Sequence, residues 1–194
     1  MTNSTDWSGE LFVMVEVPKG SRNKYEYDDD RGVIKLDRFL FTSVVYPTDY
    51  GFIPETLGAD GDPLDALVCV SEPTFPGCHI PVRAVALLDM SDEKGQDEKI
   101  VCVPCNDPNW SAITDLDVLP QQLRSEISHF FSIYKQPEGK PVAVHGWRAR
   151  DDAAAAIEQA RQRFGRRAEQ LRRSRPWSRR ARAKAGSGIA GAAR

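Results

Sequence analysis

The chain has 194 residues, of which 26 are Lys or Arg, 28 are Asp or Glu and 41% are hydrophobic. This length suits one domain of ordinary size. A core of about 150 residues buries roughly 68–70% of its unfolded surface, so it needs no disulfides or structural metal ions for stability. No run approaches the ~18 apolar residues of a membrane span. The polar N-terminus is not expected to be a secretory signal, so the four cysteines should be reduced thiols of a cytoplasmic protein.

The near-neutral net charge of −2 hides an acidic body and a basic end. Residues 1–150 carry a net charge of −10, whereas residues 151–194 carry +8. The acidic body argues against nucleic acid as its main partner, because a phosphate backbone requires a cationic face. From about Ser174 onward, Arg, Ala, Gly and Ser dominate, and we expect a disordered tail. A solvated extension is the favoured interpretation, and an arm for nucleic acid or polyphosphate is the alternative.

The body is expected to consist of short strands separated by Gly, Pro and Asp. In chain order, the strand candidates are residues 11–17, 24–28, 33–37, 64–70, 82–89, 99–103 and 142–144. The second and third candidates should form a hairpin across the turn at 29–32. Several short strands at this spacing predict a small barrel or sandwich.

Two segments have helical periodicity instead. Apolar residues recur at intervals of three and four over 119–134, and Pro120 suits the first turn of such a helix. A second helix is predicted over 151–171, with two aspartates as cap candidates, although Gly165 should weaken its second half. The predicted class is therefore α+β, with a closed or nearly closed sheet flanked by two helices.

Two acidic loops carry the main functional pattern. Asp60, Asp62 and Asp65 lie within six residues at the entry to a predicted strand. Taken alone, turn formation explains these aspartates about as well as a site where their carboxylates converge. A second loop joins two further strands and contains Asp92, Glu93, Asp97 and Glu98.

If both loops meet at one end of the barrel, their carboxylates repel each other. Two carboxylates about 4 Å apart repel by about 4 kcal/mol at an effective dielectric near 20, which turn or cap formation cannot offset. The cluster therefore needs cations. Oxygen ligands without His or Cys favour a hard ion, Mg²⁺ before Mn²⁺ or Ca²⁺.

Cationic and tyrosine side chains are interleaved with these carboxylates along the chain. They are Lys19, Arg22, Lys24, Arg38, Tyr50, Lys99, Tyr134 and Lys135. A single Lys or Arg is usually only a surface residue. Together, guanidinium forks, ammonium groups and tyrosine hydroxyls favour a multiply charged anion that is held against metal ions.

Six sequence elements occur in one order: VEVPKGSRNKYE, LDRF, YPTDYGFI, DGDPLD, DExGxDEK and HFFxxYK. Over about residues 10–165, this combination resembles the soluble family I inorganic pyrophosphatases. The element DGDPLD, together with the other five, is very specific for that family. The resemblance implies Mg²⁺-dependent hydrolysis of inorganic pyrophosphate to two orthophosphates on a small OB-like five-stranded β-barrel with two main α-helices. It also implies a homohexamer and a pyrophosphatase domain over 1–165. Nothing after about Arg166 belongs to the pattern, and we expect the Arg-rich extension over 166–194 to continue a helix and then to become disordered.

The resemblance further implies a role for each matching residue. The metal ligands would be Glu16, Glu26, Asp60, Asp65, Asp92 and Asp97. The phosphate-binding or cationic groups of the site would be Lys24, Arg38, Tyr50, Lys99, Tyr134 and Lys135. Asp62 would lie near the attacking water, and either Asp62 or Asp97 would accept its proton. Several Mg²⁺ ions would bind at each site, with Mn²⁺ as a substitute and Ca²⁺ as an inhibitor.

Other functions fit the sequence less well. An OB-like barrel also suits a nucleic-acid-binding module, but such a module requires exposed aromatic residues on a basic face, and this body is acidic. Hydrolysis of nucleoside triphosphates is a second enzymatic alternative, and the sequence has no Walker-type phosphate loop. The pair Cys102 and Cys105 is expected to end a strand rather than to bind zinc or to perform redox chemistry.

Overall fold

The computed structural model describes residues 11–174. Its strands are β1 (Leu11–Val17), β2 (Asn23–Asp28), β3 (Val33–Phe39), β4 (Asp49–Ile53), β5 (Leu64–Val68), β6 (His79–Asp92), β7 (Gly95–Gln96), β8 (Lys99–Pro104) and β9 (Val142–Ala149). Its α-helices are α1 (Gln121–Ile133) and α2 (Arg150–Ser174). The predicted disorder of the basic tail, its polyanion-binding alternative and the expected lack of an N-terminal signal concern residues outside this range.

Five strands close into a barrel in the order β1–β4–β5–β8–β6, and β6 pairs back with β1. Neighbouring strands are antiparallel except β5 and β8, which run parallel. Strands β7 and β9 extend the sheet from β6, while β2 and β3 form a separate hairpin. The predicted α+β class and the OB-like five-stranded barrel with two main helices are confirmed.

The strands differ from the predicted ones where tertiary pairing decides their extent. Strand β6 has 14 residues, because it pairs with β1, β7, β8 and β9 along its length. Strand β9 also continues to Ala149 against β6. No predicted strand corresponds to β4, which begins with Asp and contains Gly51. A Cβ atom on Gly51 would lie 1.9 Å from the carbonyl oxygen of Met14, so glycine is what lets β4 approach β1 this closely.

Strand alternation directs two polar side chains toward one face of the barrel. Leu67 of β5 belongs to the apolar cluster that includes α1, whereas its neighbour Ala66 belongs to the cluster that includes α2. The two-residue period therefore places Asp65 on the α1 side with Leu67. The parallel register, which pairs Ala66 with Ile100, brings Lys99 beside Asp65.

The two helices follow the predicted periodicity with small differences. Helix α1 begins at Gln121, so Pro120 is its N-cap residue rather than part of its first turn. Helix α2 continues through Gly165 to Ser174 and so passes the predicted domain boundary at 165. Among residues 11–174, no helix has both the length and the hydropathy needed to span a bilayer.

Candidate active site

A buried lysine lies between carboxylates of the two acidic loops. Lys99 is 2% exposed, and its ammonium group donates hydrogen bonds to Asp65 Oδ2 and Asp97 Oδ1. Asp65 lies on β5, next to the first acidic loop, and Asp97 follows β7 in the second. The structure therefore brings the two loops to one point, as the sequence pattern requires.

The electrostatics of this centre depend on burial. Burial raises the pKa of Asp97, with Asp65 adding to the effect and Lys99 opposing it. Burial alone would lower the pKa of Lys99, but the two carboxylates hold that pKa above its usual value. Burial also raises the pKa of Tyr50 and Tyr134 well above the usual value, so both phenols remain protonated donors.

Asp60 and Asp62 lie on the exposed loop between β4 and β5. The backbone N–H of Asp62 donates to Asp60 Oδ1 at 3.2 Å, so part of the pattern is indeed turn formation. Asp60, Asp65 and Asp97 are among the residues that border a cleft of about 300 Å³, and α2 forms its opposite wall. The Asp65 carboxylate itself meets Lys99 on the α1 side of the sheet. The Asp62 carboxylate is 67% exposed and lies 3.7 Å from the ammonium nitrogen of Lys94 on the other acidic loop.

The hairpin β2–β3 carries three of the predicted site residues. Its register places Lys24 opposite Arg38. Lys24 pairs with Glu26 and lies 3.5 Å from a carboxylate oxygen of Asp37. The guanidinium of Arg38 lies 2.6 Å from Asp37 Oδ2 and 2.8 Å from Glu138 Oε1. Each predicted phosphate-binding cation of the hairpin is thus paired with a carboxylate.

The ion pairs continue from Glu138 to the second acidic loop. Lys140 bridges Glu138, at 3.5 Å, and Glu93, at 3.6 Å. Lys135 lies 3.4 Å from Glu93 and 2.7 Å from Asp92 Oδ2. Although burial opposes it, the hydrogen bond from Lys135 holds the pKa of Asp92 below its usual value. A chain of alternating charges therefore connects the hairpin with the end of β6.

Sequence reasoning missed Asp37 and Glu138 as members of this network. Asp37 directly precedes Arg38, and Glu138 lies three residues after Lys135, so both are near predicted cations in the sequence. The partners of Asp37, however, are set by the register of the hairpin, and Glu138 meets Arg38 only because the hairpin lies against the segment after α1. Only the tertiary structure shows that these carboxylates neutralise cations that sequence reasoning assigned to phosphate alone.

Glu16 connects the barrel to the hairpin. Its Oε1 atom accepts a hydrogen bond of 2.7 Å from the backbone N–H of Tyr27. Burial raises the pKa of Glu16 to about 7, an effect that the Tyr27 bond opposes and that Asp65 and Glu26 strengthen. Glu16 is therefore within electrostatic reach of the central carboxylates, although its hydrogen bond is to backbone.

The side chains fit a metal ion by donor type. Within residues 11–174, no three Asp, Glu, His or Cys side chains are already arranged as a metal-ligand set. The carboxylates of Asp65 and Asp97 nevertheless meet at Lys99, and Asp60 lies on the neighbouring loop. All three offer only oxygen atoms, the donors that hard divalent cations prefer. The ammonium group of Lys99 already shows that Asp65 and Asp97 together hold a positive charge.

A family model for inorganic pyrophosphatase matches residues 13–165. The chain belongs to the inorganic pyrophosphatase family. It is 57% identical to the inorganic pyrophosphatase of Methanosarcina mazei over 152 residues, which cover 78% of this chain and 90% of that protein. It is 53% identical to the inorganic pyrophosphatase of Streptomyces coelicolor over 156 residues, which cover 80% and 96%.

The fold is also similar to solved structures of inorganic pyrophosphatases. The crystal structure of inorganic pyrophosphatase from Thermus thermophilus has a TM-score of 0.79 and 46% sequence identity, over 82% of this chain and 94% of that one. The Helicobacter pylori inorganic pyrophosphatase also has a TM-score of 0.79, with 39% identity over 80% of this chain and 94% of that one. Family membership implies a divalent metal cofactor, and the segment 166–194 lies beyond the family match.

Proposed function

We propose that this chain hydrolyses inorganic pyrophosphate to two orthophosphates, with Mg²⁺ as its cofactor and without a covalent enzyme intermediate. The observation that carries the proposal is the centre where Lys99 joins Asp65 and Asp97, bordered by the paired cations Arg38 and Lys135. Membership in the inorganic pyrophosphatase family supports the choice of substrate.

The proposed metal ligands are the carboxylates of Glu16, Glu26, Asp60, Asp65, Asp92 and Asp97. A bound divalent ion supplies one thing that side chains cannot, a lowering of the pKa of water that makes hydroxide available near neutral pH. Mg²⁺ is proposed because every donor is an oxygen, and Mn²⁺ should substitute for it. Ca²⁺, which is larger and takes more ligands, should bind and inhibit.

The side chains that would bind phosphate are Lys24, Arg38, Tyr50, Lys99, Tyr134 and Lys135. Arg38 and Lys135 are paired with carboxylates, so pyrophosphate has to displace or share these partners. Pyrophosphate carries several charges and can accept bidentate hydrogen bonds from a guanidinium, which favours the exchange. Tyr50 and Tyr134, kept protonated by burial, can donate hydrogen bonds without adding charge.

Asp62 and Asp97 are the two candidates for the proton acceptor. Asp62 is exposed, so it can release a proton to solvent directly. Asp97 is held by Lys99, and burial raises its pKa, which favours it as a proton acceptor. Comparing Asp62→Asn with Asp97→Asn in the pH dependence of turnover should distinguish them, because loss of the acceptor removes the acidic limb of the profile.

The decisive experiment measures phosphate release from pyrophosphate with and without Mg²⁺. Asp65→Asn should lower the Mg²⁺-dependent rate at least about a hundredfold while the fold is retained. Asp30→Asn, at an exposed turn residue of the hairpin, is the matched control and should change little. Full activity of the Asp65 variant would make the metal assignment wrong, and faster hydrolysis of ATP than of pyrophosphate would favour a general phosphoanhydride hydrolase.

Assembly and domain division are also proposed from the family resemblance, and location is proposed from the expectation that the four cysteines are reduced. We expect a homohexamer, which light scattering on the purified protein would test, and a cytoplasmic location. We expect the activity to reside in residues 1–165. Truncation after Ser174 should therefore leave pyrophosphate hydrolysis intact. No nucleic acid or membrane partner is expected for the acidic body.

A further inference from the structure

The loop that presents Asp60 and Asp62 has little apolar packing to hold it. Its residues 59–63 are all exposed, and the cleft of about 300 Å³ lies between the loop and α2. The loop also contains Glu55 with a φ of 58°, a left-handed conformation that is unfavourable for a residue with a Cβ atom. Hydrogen bonds, rather than packing, must therefore fix its conformation.

Two sets of hydrogen bonds shape the loop from within. The hydroxyl of Thr56 donates to Ile53 O at 2.6 Å and accepts from Leu64 N at 2.9 Å, which connects the end of β4 to the start of β5. The backbone N–H of Gly58 donates to Asp62 O at 2.7 Å and closes the turn that carries Asp60. Between these two anchors lies a single residue, Leu57.

Both backbone polar groups of Leu57 are bound by α2. Its N–H donates to Ala160 O at 3.1 Å, and its carbonyl oxygen accepts a hydrogen bond of 2.7 Å from Nε of Arg163. Arg163 is half-buried, and a hydrogen bond from a charged donor to a partly buried acceptor is stronger than one between neutral groups. One turn of α2 thus holds the residue next to the turn that carries Asp60.

We propose that Arg163 is a positioning residue for the metal-binding loop. By holding the carbonyl of Leu57, it keeps the turn closed by Gly58 in the place where Asp60 lines the cleft with Asp65. Arg163 acts through the backbone and is not a ligand of metal or substrate. The inference rests on the proposed function, because it takes Asp60 to be a metal ligand.

The test compares three variants of the full chain. Arg163→Met keeps an unbranched side chain and removes every donor, while Arg163→Lys keeps one donor group. Arg166→Met makes the same substitution at an exposed position of the same helix and serves as the control. Three measurements apply to each: amide hydrogen exchange at Gly58, calorimetric binding of Mg²⁺ alone, and the Mg²⁺ concentration that gives half-maximal pyrophosphate hydrolysis.

Arg163→Met should speed exchange at Gly58 about tenfold relative to amides of the barrel strands, because one charged hydrogen bond is lost. It should weaken Mg²⁺ binding and raise the half-saturating Mg²⁺ concentration about five- to tenfold, with a much smaller change in the rate at saturating Mg²⁺. Arg163→Lys should recover part of both effects, since one ammonium donor can still reach the carbonyl.

Two results would overturn the proposal. One is exchange and Mg²⁺ affinity equal to those of the Arg166 control. The other is a rise in exchange at Gly58 and at barrel amides by the same factor, because that would indicate a loss of global stability. Exchange and calorimetry do not depend on turnover. If the chain failed to hydrolyse pyrophosphate, the proposed function would be wrong. Hydrogen exchange and calorimetry would still test the role of Arg163.

Discussion

Replacing Lys99 with methionine tests the charge balance at the centre of the site. The substitution removes the ammonium group that Asp65 and Asp97 share and keeps an unbranched apolar side chain in its place. Two oxygens that bond to one nitrogen are at most about 5–6 Å apart, so without Lys99 they repel by about 3 kcal/mol at an effective dielectric near 20. Removing one partner of a buried ion pair costs about 3–5 kcal/mol in other proteins, which agrees with this size.

The defect should depend on pH and on divalent ions. Burial already raises the pKa of Asp97, and loss of Lys99 removes the interaction that opposes this rise. The folded variant then binds a proton more readily than the unfolded chain, so its stability should fall as the pH rises. Mg²⁺ bound at the proposed ligands Asp65 and Asp97 would replace the missing positive charge, so it should stabilise Lys99→Met more than it stabilises the parent chain.

Urea unfolding with a chelator present measures the effect directly. At about pH 8, the free energy of unfolding of Lys99→Met should be about 3 kcal/mol below that of the parent chain, with a smaller difference at about pH 5. Lys94→Met is the matched control, since Lys94 is 65% exposed and its weak pair with Asp62 contributes less than about 1 kcal/mol. Equal stability of the two variants in chelator, or no preferential stabilisation of Lys99→Met by Mg²⁺, would show that the Lys99 ammonium group does not balance the charges of Asp65 and Asp97.

Three further substitutions test the burial of Glu16 and the backbone packing of the fold. Burial raises the pKa of Glu16 from 4.5 to about 7, so the folded chain binds the extra proton and loses stability as the pH rises through that window. In urea unfolding with chelator, Glu16→Gln should remove a pH-dependent loss of about 3 kcal/mol, and curves parallel to those of the parent would contradict it. Gly51→Ala places a Cβ atom 1.9 Å from Met14 O and should lower the free energy of unfolding by at least about 1–3 kcal/mol. Gly165→Ala, with open space around it, should instead raise that free energy by about 0.5–1 kcal/mol, and thermal melts that shift both variants the same way would argue against the close approach of β4 to β1.

The sequence predicted those parts of the fold that depend on local periodicity. Alternating and continuous apolar runs indicated β1, β5 and β8, and the three-to-four spacing around Ile127 indicated α1. It did not predict β4, because Asp49 and Gly51 are typical of turns and the reason for Gly51 is the backbone of another strand. The strand predicted over 82–89 is also shorter than β6, because pairing with β7 and β9 extends β6.

For the candidate site, the sequence predicted which residues come together but not which of them pair. The resemblance placed Asp60, Asp65, Asp97 and Lys99 in one site, and the structure brings them to one region of the barrel. The roles of these residues stay predictions. Which carboxylate each cation contacts was not predictable, because Arg38 and Glu138 are separated by 100 residues and meet only in the folded chain.

These contacts change the conclusion drawn from carboxylate repulsion. The acidic residues alone would require metal ions for folding, but Lys99 and Lys135 already supply positive charge to Asp65, Asp97 and Asp92. We therefore expect the barrel to fold without divalent ions, and a metal bound at the proposed ligands would have to compete with these ammonium groups. Such competition lowers the affinity of the site for metal relative to an unpaired carboxylate cluster. It follows that metal binding should be linked to anion binding, because an anion that draws Lys135 away from Asp92 frees that carboxylate for a cation.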